Sequence, residues 1–364
     1  MKKTLTTVAI WIIVINAFAL FAWNRINVSR DTAYDWIDQH HLHTPSWNLL
    51  ALPARWDSEW YFTIARTGYQ FQPSTQLQNI VFFPIYPALI FVVGYLLFGN
   101  LILAGWLISL AALAGACVVF KQLLKEFHPK LDADDALFFL LVFPTAIFFN
   151  AVYTESLFLL LSVTTIYFAR KKQFGLASIV GAAAALTRIT GALLFIPLAI
   201  EYAVTYGWKK GVRPIVLSLL LIPLASASFF GFHWWKTGDP FFFFKVESAW
   251  GRSFKLNADH FATATSAALV NLMLDVGFLA LALVLTWVVL KKIRASYAWY
   301  CLATILVAVS SGSLMSIGRY VLVLFPLSMA LASLKPETKR AWSIVSIMLL
   351  ALYTTLFAHS YWTG

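Results

Sequence analysis

Charge is what this sequence has least of. Only 12% of its 364 residues are charged, against 60% hydrophobic, and the mean hydropathy is +0.76. That balance excludes an ordinary soluble domain. The stretches 5–23, 101–120, 215–235 and 261–290 carry almost no charge, and each is near or above the roughly 20 residues a helix needs to cross a bilayer. Cysteine is nearly absent too: Cys117 and Cys301 lie far apart in apolar runs. They support neither a disulfide framework nor a metal-ligand spacing, and read as small buried hydrophobes. P-loop and dinucleotide fingerprints are missing, as are an internal repeat and the roughly ten-residue dyad pattern of an outer-membrane barrel. With no water at membrane depth to satisfy backbone groups, helices remain. The chain reads as an all-α, polytopic integral membrane protein.

Its basic residues are few and unevenly placed. The net charge of +11 comes from Lys2-Lys3 and from short connections at 170–172, 208–213, 291–294 and 335–340, with Lys121–Lys130 beside them. The positive-inside rule puts these in the cytoplasm, so the charge calls for no nucleic acid. The first run, ending at Trp23, is too long for a signal-peptide core and has no small-residue cleavage site; it reads as an uncleaved anchor. The opposite turns are "NAVYTES" (150–156), "TRITG" (187–191), "KTGDP" (236–240) and "SIGRY" (316–320). They hold acids, arginines and tyrosines, so the chemistry gathers on the exterior face. The loop 24–80 falls on that face, and "DTAYDWIDQH" (31–40) and "SEWYFTIARTGY" (58–69) suggest surface helices. Crossing parity makes 82–98 re-entrant or interfacial, unless the loop 121–135 is outside; the first reading leaves about eleven spanning helices in one membrane-embedded domain, 1–364. The apolar arms 137–149 and 174–187 are short. Either flanking residues complete them or their ends stop inside an outward cavity.

Asp57 is the leading candidate base, in an exterior loop flanked by Arg55, Trp56, Trp60 and Tyr61. Asp57 and Glu59 offer two carboxylates to a divalent cation, but i and i+2 diverge on a helix and no second acid cluster or His pair completes the set. No metal or other cofactor is expected. Arg188, Arg252 and Arg319 stand at or near the ends of apolar arms. There, an arginine either snorkels to the interface or faces inward as an anion site. Glu155 and Asp239 on the same face are partners for them or orient a polar ligand. Asp275, inside an apolar run, is either functional or a partner for a buried arginine.

Several short motifs now stand in order: "RWDSEWYFTIARTGY" (55–69), "FFPIYP" (82–87), "FPTAIFFNAVYTESLF" (143–158), "ALTRITG" (185–191), "GDPFFF" (238–243), "WGR" (250–252) and "GRYVLVLFPL" (318–327). Together they resemble the PIG-V type of membrane mannosyltransferase over nearly the whole chain. The resemblance implies a GT-C fold and a sugar donor linked to polyprenyl or dolichyl phosphate. It implies work on the non-cytoplasmic face and a catalytic acid at Asp57. Arg188, Arg252 and Arg319 match motif positions too, and arginine chemistry suits them to the donor phosphate. Substrate contact is then expected at Arg55, Trp56, Glu59, Trp60, Tyr61, Tyr86, Tyr153, Glu155, Asp239 and Tyr320. The short chain, with one Asn-X-Ser site at Asn27, suggests a prokaryotic member in the cytoplasmic membrane. Its acceptor is a lipid or glycan that need not be a glycolipid anchor. A lipid or glycan flippase, or a same-fold enzyme moving another sugar or a lipid-linked glycan, stands as the alternative.

Overall fold

The computed structural model describes residues 1–28, 51–71, 77–207, 214–250, 252 and 266–363. The expected surface helix at 31–40 and the basic connection 208–213 lie outside them. Among the described residues every regular element is helical. The chain runs α1 (Lys2–Arg25), α2 (Ser58–Thr67), α3 (Ile85–Leu96), α4 (Leu101–Phe127), α5 (Ala133–Leu141) and α6 (Glu155–Arg170). It continues through α7 (Phe174–Ala185), α8 (Phe195–Tyr206), α9 (Leu221–Thr237), α10 (Phe242–Glu247) and α11 (Ser266–Lys292). Last come α12 (Ala295–Ser310), α13 (Ile317–Leu322), α14 (Phe325–Ala332) and α15 (Pro336–Ala358).

Among the described residues six segments are long and apolar enough to span: α1, α4, Ile189–Tyr206, Pro214–Thr237, Leu269–Lys292 and α15. They turn large apolar side chains outward, among them Ile10 and Ile13 on α1, Leu224 on α9, Met273 and Val284 on α11, and Ile344 and Met348 on α15. Apolar side chains facing out of a helical bundle suit lipid as the solvent. The chain is an integral membrane protein. The expected count of about eleven crossings exceeds these six; α3, α7 and α12 are apolar but shorter.

Ion pairs identify the two ends of the bundle. Asp134, in the first turn of α5, takes Lys3 at 2.9 Å and also Lys121. Asp135 beside it pairs with Lys339. Glu201 gathers Arg170 and Arg294, and Lys171 pairs with Glu126. The basic helix ends therefore meet at one end, each with an acidic partner. The helix α6 crosses from there to the other end, with Arg170 as its last residue and Glu155 as its first, roughly 24 Å apart at 1.5 Å per residue.

At this second end the helices are short and broken. The helix α3 lies along only the first part of α4: the Tyr86 hydroxyl donates to the Gly105 carbonyl and meets Ser109 Oγ at 2.7 Å, while Gly94 abuts Leu101. Twelve residues reach about 18 Å, well under the roughly 30 Å hydrocarbon core. The chain reverses through Phe98 and Gly99, both at positive φ, and Asn100 caps α4 by accepting from the Leu103 N–H. Irregular backbone with a short 3₁₀ turn follows at 144–154, between α5 and α6. There Asn150 exchanges side-chain hydrogen bonds with Asn16 of α1 and accepts from the Trp106 indole. Buried polar backbone is tolerated in a membrane protein where such partners satisfy it.

Candidate active site

Asp57 stands at the N-cap of α2 but does not cap it. An aspartate there ordinarily accepts a bond from the first-turn amides. Here the carboxylate turns away, and its Oδ2 accepts from Arg319 Nη1 at 2.9 Å. Thr154 repeats the pattern at the start of α6: its hydroxyl forgoes capping and accepts from Arg188 Nη1 at 3.3 Å. Between the two arginines lies Glu155, wholly buried. Its Oε1 takes Arg188 Nη1 at 2.7 Å and Arg319 Nε at 2.8 Å. The result is one chain of charge, Asp57–Arg319–Glu155–Arg188, drawn from four separate parts of the sequence.

Local backbone holds these groups in place. Trp56, just before Asp57, has φ +50, and Ser316, three residues before Arg319, has φ +72. Left-handed conformations cost a side-chain-bearing residue energy and persist where the surroundings enforce them. Trp56 is buried edge-on against Trp362 at 5.1 Å. Arg55 donates to the carbonyls of Ala51 and Ala358, which ties the Asp57 loop to the end of α15. The Ser58 hydroxyl bonds the Val152 carbonyl, the Asp57 N–H donates to the Tyr153 hydroxyl at 3.2 Å, and the Val152 N–H donates to the Pro53 carbonyl. On the other side, the Ile85 N–H donates to the Leu186 carbonyl, joining "FFPIYP" to "ALTRITG".

These elements wall a cavity of about 120 Å³. Asp57, Tyr61, Arg188, Arg252, Arg319 and Tyr320 line it, with Thr154, Phe82, Phe83, Phe243, Glu247, Trp250, Ser316 and Trp362. Arg252 pairs with Glu247 at 3.0 Å and lies 3.4 Å from the Tyr320 hydroxyl. The Tyr320 ring sits beneath the Arg188 guanidinium at 5.4 Å, within cation–π range. Trp60 stacks on Phe82 and meets Trp250 edge-on at the aromatic side of the cavity. Burial, with the Asp57 and Glu155 charges next, pushes the Tyr61 phenol above its ordinary value, so it stays a neutral hydroxyl.

The other expected site residues lie outside the cavity wall. Tyr86 and Tyr153 are fully buried behind it, with the Tyr61 ring packed on both. Glu59 sits on the outer face of α2 with Arg66 at 3.1 Å. Asp239 is in the turn after α9, paired with Lys245 at 2.7 Å, which holds its carboxyl below the ordinary range. Asp275 does not line the cavity. Among the described residues no three His, Cys, Asp or Glu side chains come together as a metal site. The cavity also contains residues that the motifs did not single out. Glu247 stands five residues before Arg252, and Trp250, which opens the "WGR" motif but was given no role, lines the cavity with it. Trp362 follows α15 and nothing in the sequence marks it.

The family described as Mannosyltransferase (PIG-V) matches residues 40–197, a span that takes in Asp57, Glu155 and Arg188. GPI mannosyltransferase 2 of Yarrowia lipolytica is 38% identical over 95 residues, 26% of this chain and 27% of that protein. The match thus spans about a quarter of the curated relative's length. Among solved structures, ArnT from Cupriavidus metallidurans bound to undecaprenyl phosphate aligns with a TM-score of 0.51 at 17% identity, over 94% of this chain and 63% of that one. Residues 40–197 are thus similar to the family described as Mannosyltransferase (PIG-V), and the chain shares the fold of ArnT.

Proposed function

We propose that the protein is a membrane mannosyltransferase. It moves a sugar from a polyprenyl-phosphate-linked donor to a hydroxyl of a lipid or glycan acceptor, on the exterior face of a prokaryotic cytoplasmic membrane. The observation that carries this reading is the juxtaposition of Asp57 with Arg319, Arg188 and Arg252 in one aromatic-walled cavity. Arginines suit a phosphate through charge-assisted, bidentate contacts. Aromatic rings suit the apolar faces of a sugar. The family match supports a sugar as the group transferred.

In this reading the acceptor hydroxyl loses its proton to Asp57 as its oxygen forms a bond to the anomeric carbon. The bond from that carbon to the phosphate oxygen breaks on the opposite side, and the configuration inverts. The electron pair leaves with the polyprenyl phosphate, whose growing charge Arg319, Arg188 and Arg252 stabilise. A phosphate leaves without protonation, so a single carboxylate suffices where a glycosidase uses two. The positive-inside rule supports a cytoplasmic position for the basic end gathered around Asp134, Asp135 and Glu201, and with it an exterior cavity. The test is transfer of radiolabelled mannose from polyprenyl-phosphate mannose by the purified protein, supplied with extracted membrane acceptors. Labelled product is expected. Lipid translocation without any sugar transfer would contradict the enzyme reading and favour a flippase.

A further inference from the structure

We propose that Asp57 occupies, on Arg319, the seat the donor phosphate takes during transfer, so that donor binding and release of the base are one exchange. The inference rests on the donor assignment above. Arg319 is buried and held by everything except its cavity edge. Its Nε donates to Glu155, and its guanidinium lies against the rings of Tyr153 at 4.7 Å, Phe148 at 5.0 Å and Trp362 at 5.8 Å. The remaining edge carries Asp57, through Nη1. Arg319 and Asp57 both line the cavity, whereas Glu155 does not. An anion entering the cavity meets Arg319 at the edge that Asp57 holds.

Charge balance points the same way. Arg188, Arg252 and Arg319 face Asp57, Glu155 and Glu247, three positive groups against three negative. Among the described residues that line the cavity, every arginine already has a carboxylate partner, so a phosphodiester that takes Arg319 displaces one. Glu155 is fully buried between two arginines, and leaving either unpaired in a low dielectric is costly. Asp57 differs: it lines the open cavity and its carboxylate is held by Arg319, so it can turn into the cavity when the guanidinium is taken. The phosphate replaces a carboxylate on the same guanidinium with contacts of the same kind.

The experiment is equilibrium binding of a polyprenyl phosphate to full-length protein in nanodiscs of neutral lipid. Wild type, Asp57→Asn, Asp57→Ala and the remote control Glu126→Gln are compared, each checked for cooperative thermal unfolding. The exchange predicts tighter binding by both Asp57 variants, about fivefold or more, and unchanged binding by Glu126→Gln. The alanine variant carries the test if asparagine fails to fold. Binding by wild type with equal or weaker binding in the folded Asp57 variants overturns the exchange and leaves the donor assignment standing. No binding by any form, wild type included, overturns the donor assignment and the exchange with it.

Discussion

Arg319 uses different nitrogens for Asp57 and for Glu155, and the two acids have different exposure to the cavity. Glu155 holds both Arg319 and Arg188 from behind, which makes it a positioning residue. Glu155→Gln keeps the shape but leaves two buried arginines with one fewer negative charge. Breaking a buried pair by removing one partner costs on the order of 3–5 kcal/mol. The expected outcome is a clearly lower thermal midpoint together with weaker donor binding. An unchanged midpoint would show that Glu155 is not what holds the arginines. At this scale the sequence was informative about which residues matter and less so about how. Asp57 and the three arginines stood out because charge is scarce and each sits at a helix end. Their pairing was not readable, since 262 positions separate Asp57 from Arg319. Tyr86 and Tyr153 match motif positions expected to touch substrate, yet their hydroxyls hold α4 and the Asp57 loop. A motif residue can serve by fixing its neighbours as well as by contacting the ligand, and sequence does not separate the two.

At the scale of elements, the cavity is built from places where helices stop. The helix α7 ends at Ala185, and the chain turns through Arg188 into the tight 3₁₀ segment Ile189–Leu194. Gly191 packs directly on that helix end. A Cβ there would lie 2.2 Å from the Ala184 carbonyl oxygen and 2.4 Å from its carbon, which is backbone and cannot swing aside. Gly191→Ala is therefore expected to destabilise the protein by roughly 1–3 kcal/mol or more, the range for overpacking. Because the turn carries Arg188, it should also weaken donor binding. Thermal unfolding and polyprenyl phosphate binding check both, and wild-type values would show that the turn accommodates a side chain. The shortness of the 174–187 arm and the proline-headed 82–98 segment was legible from apolar run lengths and turn residues. The 3₁₀ segments at 79–81, 146–149 and 189–194 were not. Local propensity does not specify them; tertiary hydrogen bonds such as Ile85 to Leu186 do.

For the whole molecule, the charge pattern read from the sequence became a physical partition. One end collects basic helix termini with Asp134, Asp135 and Glu201, and the other holds the cavity. The contact of Lys3 and Lys121 with the same carboxylate puts the end of α4 beside the start of α1. Both native cysteines are fully buried, so the wild-type chain is a silent background for labelling. Thr67→Cys, at the exposed end of α2, should react with a membrane-impermeant thiol reagent in intact cells. Lys130→Cys and Gln173→Cys, exposed at the basic end, should react only after the membrane is opened. The reverse pattern would put the cavity in the cytoplasm and remove a lipid-linked donor on the exterior face from consideration. What the sequence did not supply at this scale was the closing of the site by the last turn of the chain: Trp362 contacts both Trp56 and Arg319, and no motif surrounds it.

The central claim is that Asp57 is the base of a sugar transfer, and it is tested most directly by turnover of Asp57→Asn. Asparagine keeps the size and some hydrogen bonding of the side chain but cannot take a proton at neutral pH. The measurement is mannose transfer from polyprenyl-phosphate mannose by purified, folded protein that is shown to bind the donor lipid. The account predicts a fall in turnover of roughly 10²–10⁴-fold, the usual contribution of a general base, with donor binding retained or strengthened. Turnover close to wild type in that variant would contradict it.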